Sequence, residues 1–223
     1  MTRIGAWVRT VDLAPGQSGR FWVYPTPGQM LRARRVFGSR RVVWNDALAI
    51  VKPRRASNKL LGNPRQRSAE GPYWGIPKNA ELSKLLITAA KKTPERAFLA
   101  DVPVGVLQQT LGDFDKAWTA HEDSKTGERP GPRVAPPKRK SRKDNRQTVR
   151  FTRSDRWSVT DDGKLRLPKI GDVEVKWARD LPSAPSSVTL IKDRSDRPHL
   201  GRQRADLRHR PRPGLERRTQ RPL

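Results

Sequence analysis

The spacing of apolar positions changes period along the chain. Residues 20–24, Arg20-Phe21-Trp22-Val23-Tyr24, mix aromatic and β-branched side chains and stop at Pro25, which predicts a short strand. Thr26 can then cap a helix with Pro27 at its first position, where the missing N–H costs nothing. Met30, Ala33 and Phe37 fall at helical spacing until Gly38-Ser39, which predicts a break. A second helix carries Val42, Val43, Trp44, Ala47, Leu48 and Val51 and ends at Pro53. Two short helices about a Gly-containing turn resemble a helix-turn-helix, with an ordinary helical hairpin as the alternative. Residues 53–78 are poor in apolar positions and read as a loop, partly disordered. Leu82, Leu85, Leu86 and Ala89 mark another helical zone up to Lys92, with Lys84 off its apolar face. Thr93-Pro94 restarts a helix. After Pro103 the residues Val104, Leu107, Leu111, Phe114 and Trp118 step by 3, 4, 3 and 4, which predicts one amphipathic helix with a core-facing stripe.

Beyond residue 147 the period becomes two. Strands are expected at 148–152, 157–159, 165–167, 173–177 and 187–191. The turn Asp161-Asp162-Gly163 marks a hairpin. Short strands separated by turn signals suggest a small antiparallel barrel or sandwich that the early strand completes, with the helices inserted between its strands. The expected class is α+β: a small antiparallel β-barrel interrupted by a helical insertion, with a disordered basic C-terminal tail. The segments are 1–52 (first strand and helical pair), 53–123 (loop and helical insertion), 124–147 (basic linker), 148–192 (remaining strands) and 193–223 (tail).

Charge narrows the function more than the fold does. The chain holds 48 Lys and Arg against 22 Asp and Glu, a net charge of +26, in 223 residues of which 34% are hydrophobic. Such an excess points to a polyanion, and nucleic acid is the default partner. With no cysteine, thiol catalysis and thiolate metal sites are excluded. Three dispersed histidines, His121, His199 and His209, argue against an imidazole metal cluster. Neither a signal peptide nor a membrane-spanning run is apparent, so a bacterial cytoplasmic protein is expected, nucleoid-associated when DNA-bound, with no membrane partner, small-molecule substrate or cofactor.

The run Lys138-Arg139-Lys140-Ser141-Arg142-Lys143, followed by Arg146, leads straight into a strand and is expected to contact phosphates. Arg40, Arg41 and Asn45 near the second helix are candidates for a nucleic-acid backbone or base edge, and Lys84 for a phosphate. Gln108 and Gln109 are candidate base readers because Gln pairs bidentately with adenine, the alternative being plain helix surface. Tyr24 and Trp157 could stack on bases or pack in the core.

Four blocks, in order, carry a family resemblance: 24–29 (Tyr24-Pro25-Thr26-Pro27-Gly28-Gln29), 37–45 (Phe37-Gly38-Ser39-Arg40-Arg41-Val42-Val43-Trp44-Asn45), 106–118 (Val106-Leu107-Gln108-Gln109 through Trp118) and 165–176 (Leu165-Arg166-Leu167-Pro168-Lys169-Ile170-Gly171 through Lys176). Over about residues 18–193 the chain resembles the OrfB/TnpB proteins of insertion sequences, RNA-guided DNA nucleases. The resemblance implies a wedge-type barrel with a helical recognition insertion that grips guide RNA and reads a short motif beside the DNA target. In that family cutting belongs to a following RNase H-like (RuvC-like) domain with metal-holding carboxylates and a Cys-rich zinc ribbon. The family's Gly-x-Asp-x-Gly setting does not occur after Ile191. The expectation is therefore a transposon-encoded nucleic-acid-binding portion truncated before the nuclease domain, not itself an enzyme, with no catalytic or metal residues. Its partners would be guide RNA and DNA. The alternatives are a nuclease-dead RNA-guided repressor, or the remnant of a transposase gene shifted in frame near residue 195, as the Arg- and Pro-rich tail suggests.

Overall fold

A computed structural model describes residues 7–12, 18–61, 75–144, 147–177 and 186–192. The expected tail, the stretch 62–74 of the expected loop, and Arg146 lie outside the described residues. Strands β1 (Trp7–Asp12) and β2 (Ser18–Tyr24) come first. Helix α1 (Pro27–Leu61) follows, then α2 (Asn79–Ser83). A π-helical turn (Lys84–Ala89) and two 3-10 segments (Ala90–Lys92 and Pro94–Asp101) lead into α3 (Val104–Thr126). Five strands close the order: β3 (Gln147–Thr152), β4 (Ser158–Val159), β5 (Leu165–Leu167), β6 (Gly171–Lys176) and β7 (Ser187–Lys192). The α+β class holds, and the helices are indeed inserted between strands, after β2 and before β3.

All pairings among these strands are antiparallel, in the order β3-β7-β1-β2-β6-β5-β4. Strand β6 serves two neighbours with different halves: Val173 faces Leu165 of β5, while Val175 faces Val23 of β2. The edge strands β3 and β4 are consecutive in the chain, so residues 152–158 must cross from one edge to the other. Six residue steps reach at most about 20 Å, whereas the edges of a flat seven-stranded sheet would stand about 29 Å apart. The sheet is therefore curled. Among the described residues no ladder joins β3 to β4, so the expected barrel is open rather than closed by hydrogen bonds. Strand β1, whose six residues carry few sequence signals, was not expected; it bridges β2 and β7.

The break expected at Gly38-Ser39 does not occur. Helix α1 is continuous for 35 residues. Its start is as read: Thr26 and Gln29 form a capping box, with Thr26 N–H donating to Gln29 Oε1 (2.9 Å) and Gln29 N–H to Thr26 Oγ1 (3.4 Å). Glycine permits a turn but does not compel one. Here Val36, Phe37, Ser39 and Val43 are buried on both sides of Gly38, and that packing holds the segment helical. Pro53 likewise fails to end the helix: it removes the bond to the carbonyl of Ala49 and crowds that carbonyl, but on an exposed face, while Leu48 and Val51 stay buried beside it.

The predicted stripe on α3 is the centre of one core. Leu107, Leu111, Phe114 and Trp118 are buried with Val43, Trp44 and Ala47 of α1 and with Val149, Phe151, Val188 and Leu190 of the sheet. Trp44 meets Phe114 edge-on at 5.3 Å, and Phe114 meets Trp118 at 6.4 Å. Burying each of the two α3 aromatics contributes about 2–3 kcal/mol. The stripe's first member, Val104, is instead exposed. Helix α1 is tied to the β5–β6 turn by Gln29 Nε2, which donates to the Asp172 carbonyl (2.6 Å), and by Arg32 Nε, which donates to the Ile170 carbonyl (2.9 Å). No helix among the described residues is long and apolar enough to cross a membrane.

Candidate nucleic-acid interface

Residues 128–144, expected as a linker, form an extended strap pinned across the helices. Val134 N–H donates to Ser124 Oγ (2.7 Å), and the Val134 carbonyl lies 2.8 Å from His121 Nδ1. Trp44 Nε1 donates to the Lys138 carbonyl (3.0 Å). Asn45 grips Lys140 twice: its Nδ2 donates to the carbonyl (3.0 Å), and its Oδ1 accepts from the N–H (2.9 Å). Ser141 N–H donates to Asp144 Oδ2 (2.8 Å) and turns the strap toward β3. Held by its backbone, the strap buries Pro137 and lays Lys140 against Trp44 but turns most of its other side chains outward. Lys138, Arg139, Arg142 and Lys143 are exposed, and no ion pair holds any of them among the described residues.

Several predicted contacts have other employment. Arg40 is a staple between elements. Its guanidinium pairs with Asp113 of α3 at 2.5 Å, with only 14% of the side chain exposed, and it also donates to the carbonyl of Thr148 and to Thr148 Oγ1. Asn45 is spent on the strap. Lys140 lies on the Trp44 ring, with Nζ 3.8 Å from its centroid. Burial there, reinforced by the neighbouring charge of Arg40, lowers its ammonium to about 8, against the smaller opposing pull of Asp113 and Asp144. Gln109 donates to Asp113 Oδ1 one turn along α3 (3.0 Å). Trp157 is half-buried and packs against the core, and Tyr24 is half-buried. Gln108 and Lys84 are exposed, on α3 and the π-helical turn, apart from the groove described next.

Arg41 is brought into a basic groove. An open groove of about 560 Å³ runs between α1, the end of the strap and the sheet. Arg34, Arg35 and Arg41 line it from α1, Arg142 from the strap and Lys192 from β7, with no carboxylate in the lining. Arg35 is only loosely engaged, 3.9 Å from Asp101. Residues 34, 35, 38 and 41 share a face only on an unbroken helix. The supposed turn at Gly38 hid that spacing, and with it Arg34 and Arg35. A second basic cleft, about 780 Å³, lies at the other end of α1, where Lys52, Arg55 and Lys59 face Lys125 and Arg133. Its one carboxylate, Glu122, is shared between Arg55 and Lys125, 3.2 Å from each. Five cations converging on the first groove, whose lining holds no carboxylate, can neutralise phosphates and release counterions.

Comparison with known proteins agrees with this chemistry. The family model HTH_OrfB_IS605, described as a helix-turn-helix domain, matches residues 18–59. In this structure that segment is one strand and one continuous helix. A protein of Streptomyces pristinaespiralis named "Putative RNA-guided DNA endonuclease" is 31% identical over 182 residues, which cover 80% of this chain and 39% of the relative. The chain thus spans about two fifths of that protein's length. This match corrects the expectation that the chain is not itself an enzyme: the relative, of which the chain covers only a part, is named for endonuclease activity. The carboxylates sought after Ile191 do not decide the matter, since most of the relative's length has no counterpart in the segment matched.

Proposed function

We propose that this chain, which matches the OrfB helix-turn-helix model over residues 18–59 and a protein named as an RNA-guided DNA endonuclease over 182 residues, belongs to the OrfB/TnpB family and is the nucleic-acid-gripping part of an RNA-guided DNA endonuclease, holding guide RNA and target DNA by their phosphates. The observation that carries the reading is the acid-free groove in which Arg34, Arg35, Arg41, Arg142 and Lys192 converge. Phosphate contacts of this kind position a duplex without reading its sequence. The outward cations of the strap, Lys138, Arg139 and Lys143, extend the same surface. The strap contributes rigidity, because Trp44 and Asn45 fix its backbone before any ligand arrives and less ordering entropy is lost on binding. Gln108, exposed on α3, remains the candidate for a base edge beside the target, and the curled sheet serves as the wedge-type support.

The test is to sequence the RNA that copurifies with the chain and to measure its affinity for DNA complementary to that RNA. A single defined RNA species, with tighter binding of complementary than of scrambled DNA, is expected. A random RNA population with no preference between the two DNAs would sink the guided reading.

A further inference from the structure

Beside the basic groove, α1 faces an aromatic ring that phosphate gripping leaves unused. Phe98 is 42% exposed on the 3-10 segment, while its neighbour Leu99 is fully buried. Arg96 fixes that segment by donating through Nε and Nη2 to the two carboxylate oxygens of Asp46, at 3.0 and 3.3 Å. The segment that carries the exposed ring is thus anchored to α1. Across a cleft of about 460 Å³ the ring meets α1 at Arg35, Gly38, Arg41 and Val42, and Asp101, 3.9 Å from Arg35, lies at the edge of the same cleft.

Gly38 is the second observation. It sits inside a 35-residue helix, where glycine costs about 1 kcal/mol relative to alanine. Among the described residues nothing demands it: a Cβ built there would meet no atom within 4 Å. An open, bare stretch of helix between two arginines, opposite an exposed aromatic ring, makes a slot with a π-face on one side and, at its rim, two guanidinium groups and the carboxylate of Asp101. Apolar stacking surface combined with guanidinium groups is the chemistry that holds an unpaired nucleobase and its phosphate.

We propose that the cleft between Phe98 and Gly38 takes one unpaired nucleobase of a single-stranded RNA or DNA segment, stacked on Phe98, with its phosphate held by Arg35 and Arg41. The proposal rests on the nucleic-acid reading above and adds to it a preference for strands with an unstacked base. Fluorescence anisotropy of the full chain tests it with single-stranded RNA, single-stranded DNA and the corresponding duplex, each containing 2-aminopurine. Phe98→Ala and Phe98→Leu should each weaken single-strand binding by about 10-fold, while Phe98→Trp keeps it. Duplex affinity should stay within about 2-fold with the same salt slope, since no phosphate contact is lost. Gly38→Leu should fill the slot and imitate Phe98→Ala while far-UV circular dichroism stays unchanged. The RNA and DNA arms show which strand is held. Undiminished single-strand binding by Phe98→Ala and Phe98→Leu overturns the slot and leaves the groove intact; an equal loss on duplex also overturns the slot, because Phe98 then acts on binding of both forms alike. Failure of the unaltered chain to bind any polynucleotide at low salt overturns the nucleic-acid reading itself, and the slot with it.

Discussion

Arg40 and Arg41 are adjacent cations with opposite uses. Arg40 is spent inside the protein, on Asp113 and on Thr148, whereas Arg41 lines the groove. Arg40→Ala strands a half-buried carboxylate and should lower stability by about 1.5–3 kcal/mol, read from a urea denaturation midpoint, while salt-dependent binding by the folded fraction is retained. Arg41→Ala should do the reverse. Lys140 adds a pH dependence. Burial on Trp44 holds its folded ammonium near 8, below the ordinary lysine value of 10.5. Between those limits the unfolded chain keeps a proton that the folded chain has released, so stability from this group rises as pH climbs through that window. Below pH 8 the cost of keeping the ammonium buried applies in full. The unfolding free energy of the unaltered chain should therefore climb more steeply from pH 8 to 10.5 than that of Lys140→Met. Parallel curves would show that Lys140 is ordinarily solvated.

At the scale of elements, α3 is positioned by a close contact at its start. A Cβ on Gly105 would lie 1.8 Å from Asp155 Oδ1. That carboxylate is buried and cannot swing away cheaply, because its other oxygen accepts from the N–H and hydroxyl of Thr152 (2.7 and 3.0 Å). Gly105→Ala should cost about 1–3 kcal/mol by overpacking, measured by thermal unfolding; an unchanged midpoint would mean that the β3–β4 connection yields. Which elements were legible follows from how local their causes are. The α3 stripe and the Thr26-Gln29 cap are written within one or two turns of chain, and both appear as read. The strands from 147 onward keep their places to within a residue or two, and β3, β5 and β6 alternate in burial, whereas β4 is exposed at both positions and β7 buries Ser187 and Val188 in succession. The fate of Gly38 and Pro53 depends on packing against α3 and the sheet, so a local reading wrongly stops the helix there. Of the candidate contacts, Arg41, Lys138, Arg139, Arg142 and Lys143 are outward cations. Arg40 and Asn45 are not, because Asp113 and the Lys140 backbone, their partners, lie 73 and 95 residues away.

Across the whole molecule, an excess of 26 positive charges works against compaction unless a polyanion shares the surface. The fold places cations where they need not meet one another's partners. Carboxylates such as Asp46, Asp113 and Glu122 are consumed in bridging helices to one another and to the 3-10 segment, and the lining of the groove between α1, the strap and β7 holds no acid. The central claim is that this groove and strap grip phosphates. It is tested most directly by the salt dependence of duplex DNA binding for the unaltered chain and for the triple variant Arg41→Ala, Arg139→Ala, Arg142→Ala. Three lost contacts should flatten the plot of log affinity against log salt by about 2–3 units of slope, with circular dichroism unchanged. The same slope for both proteins would contradict the account.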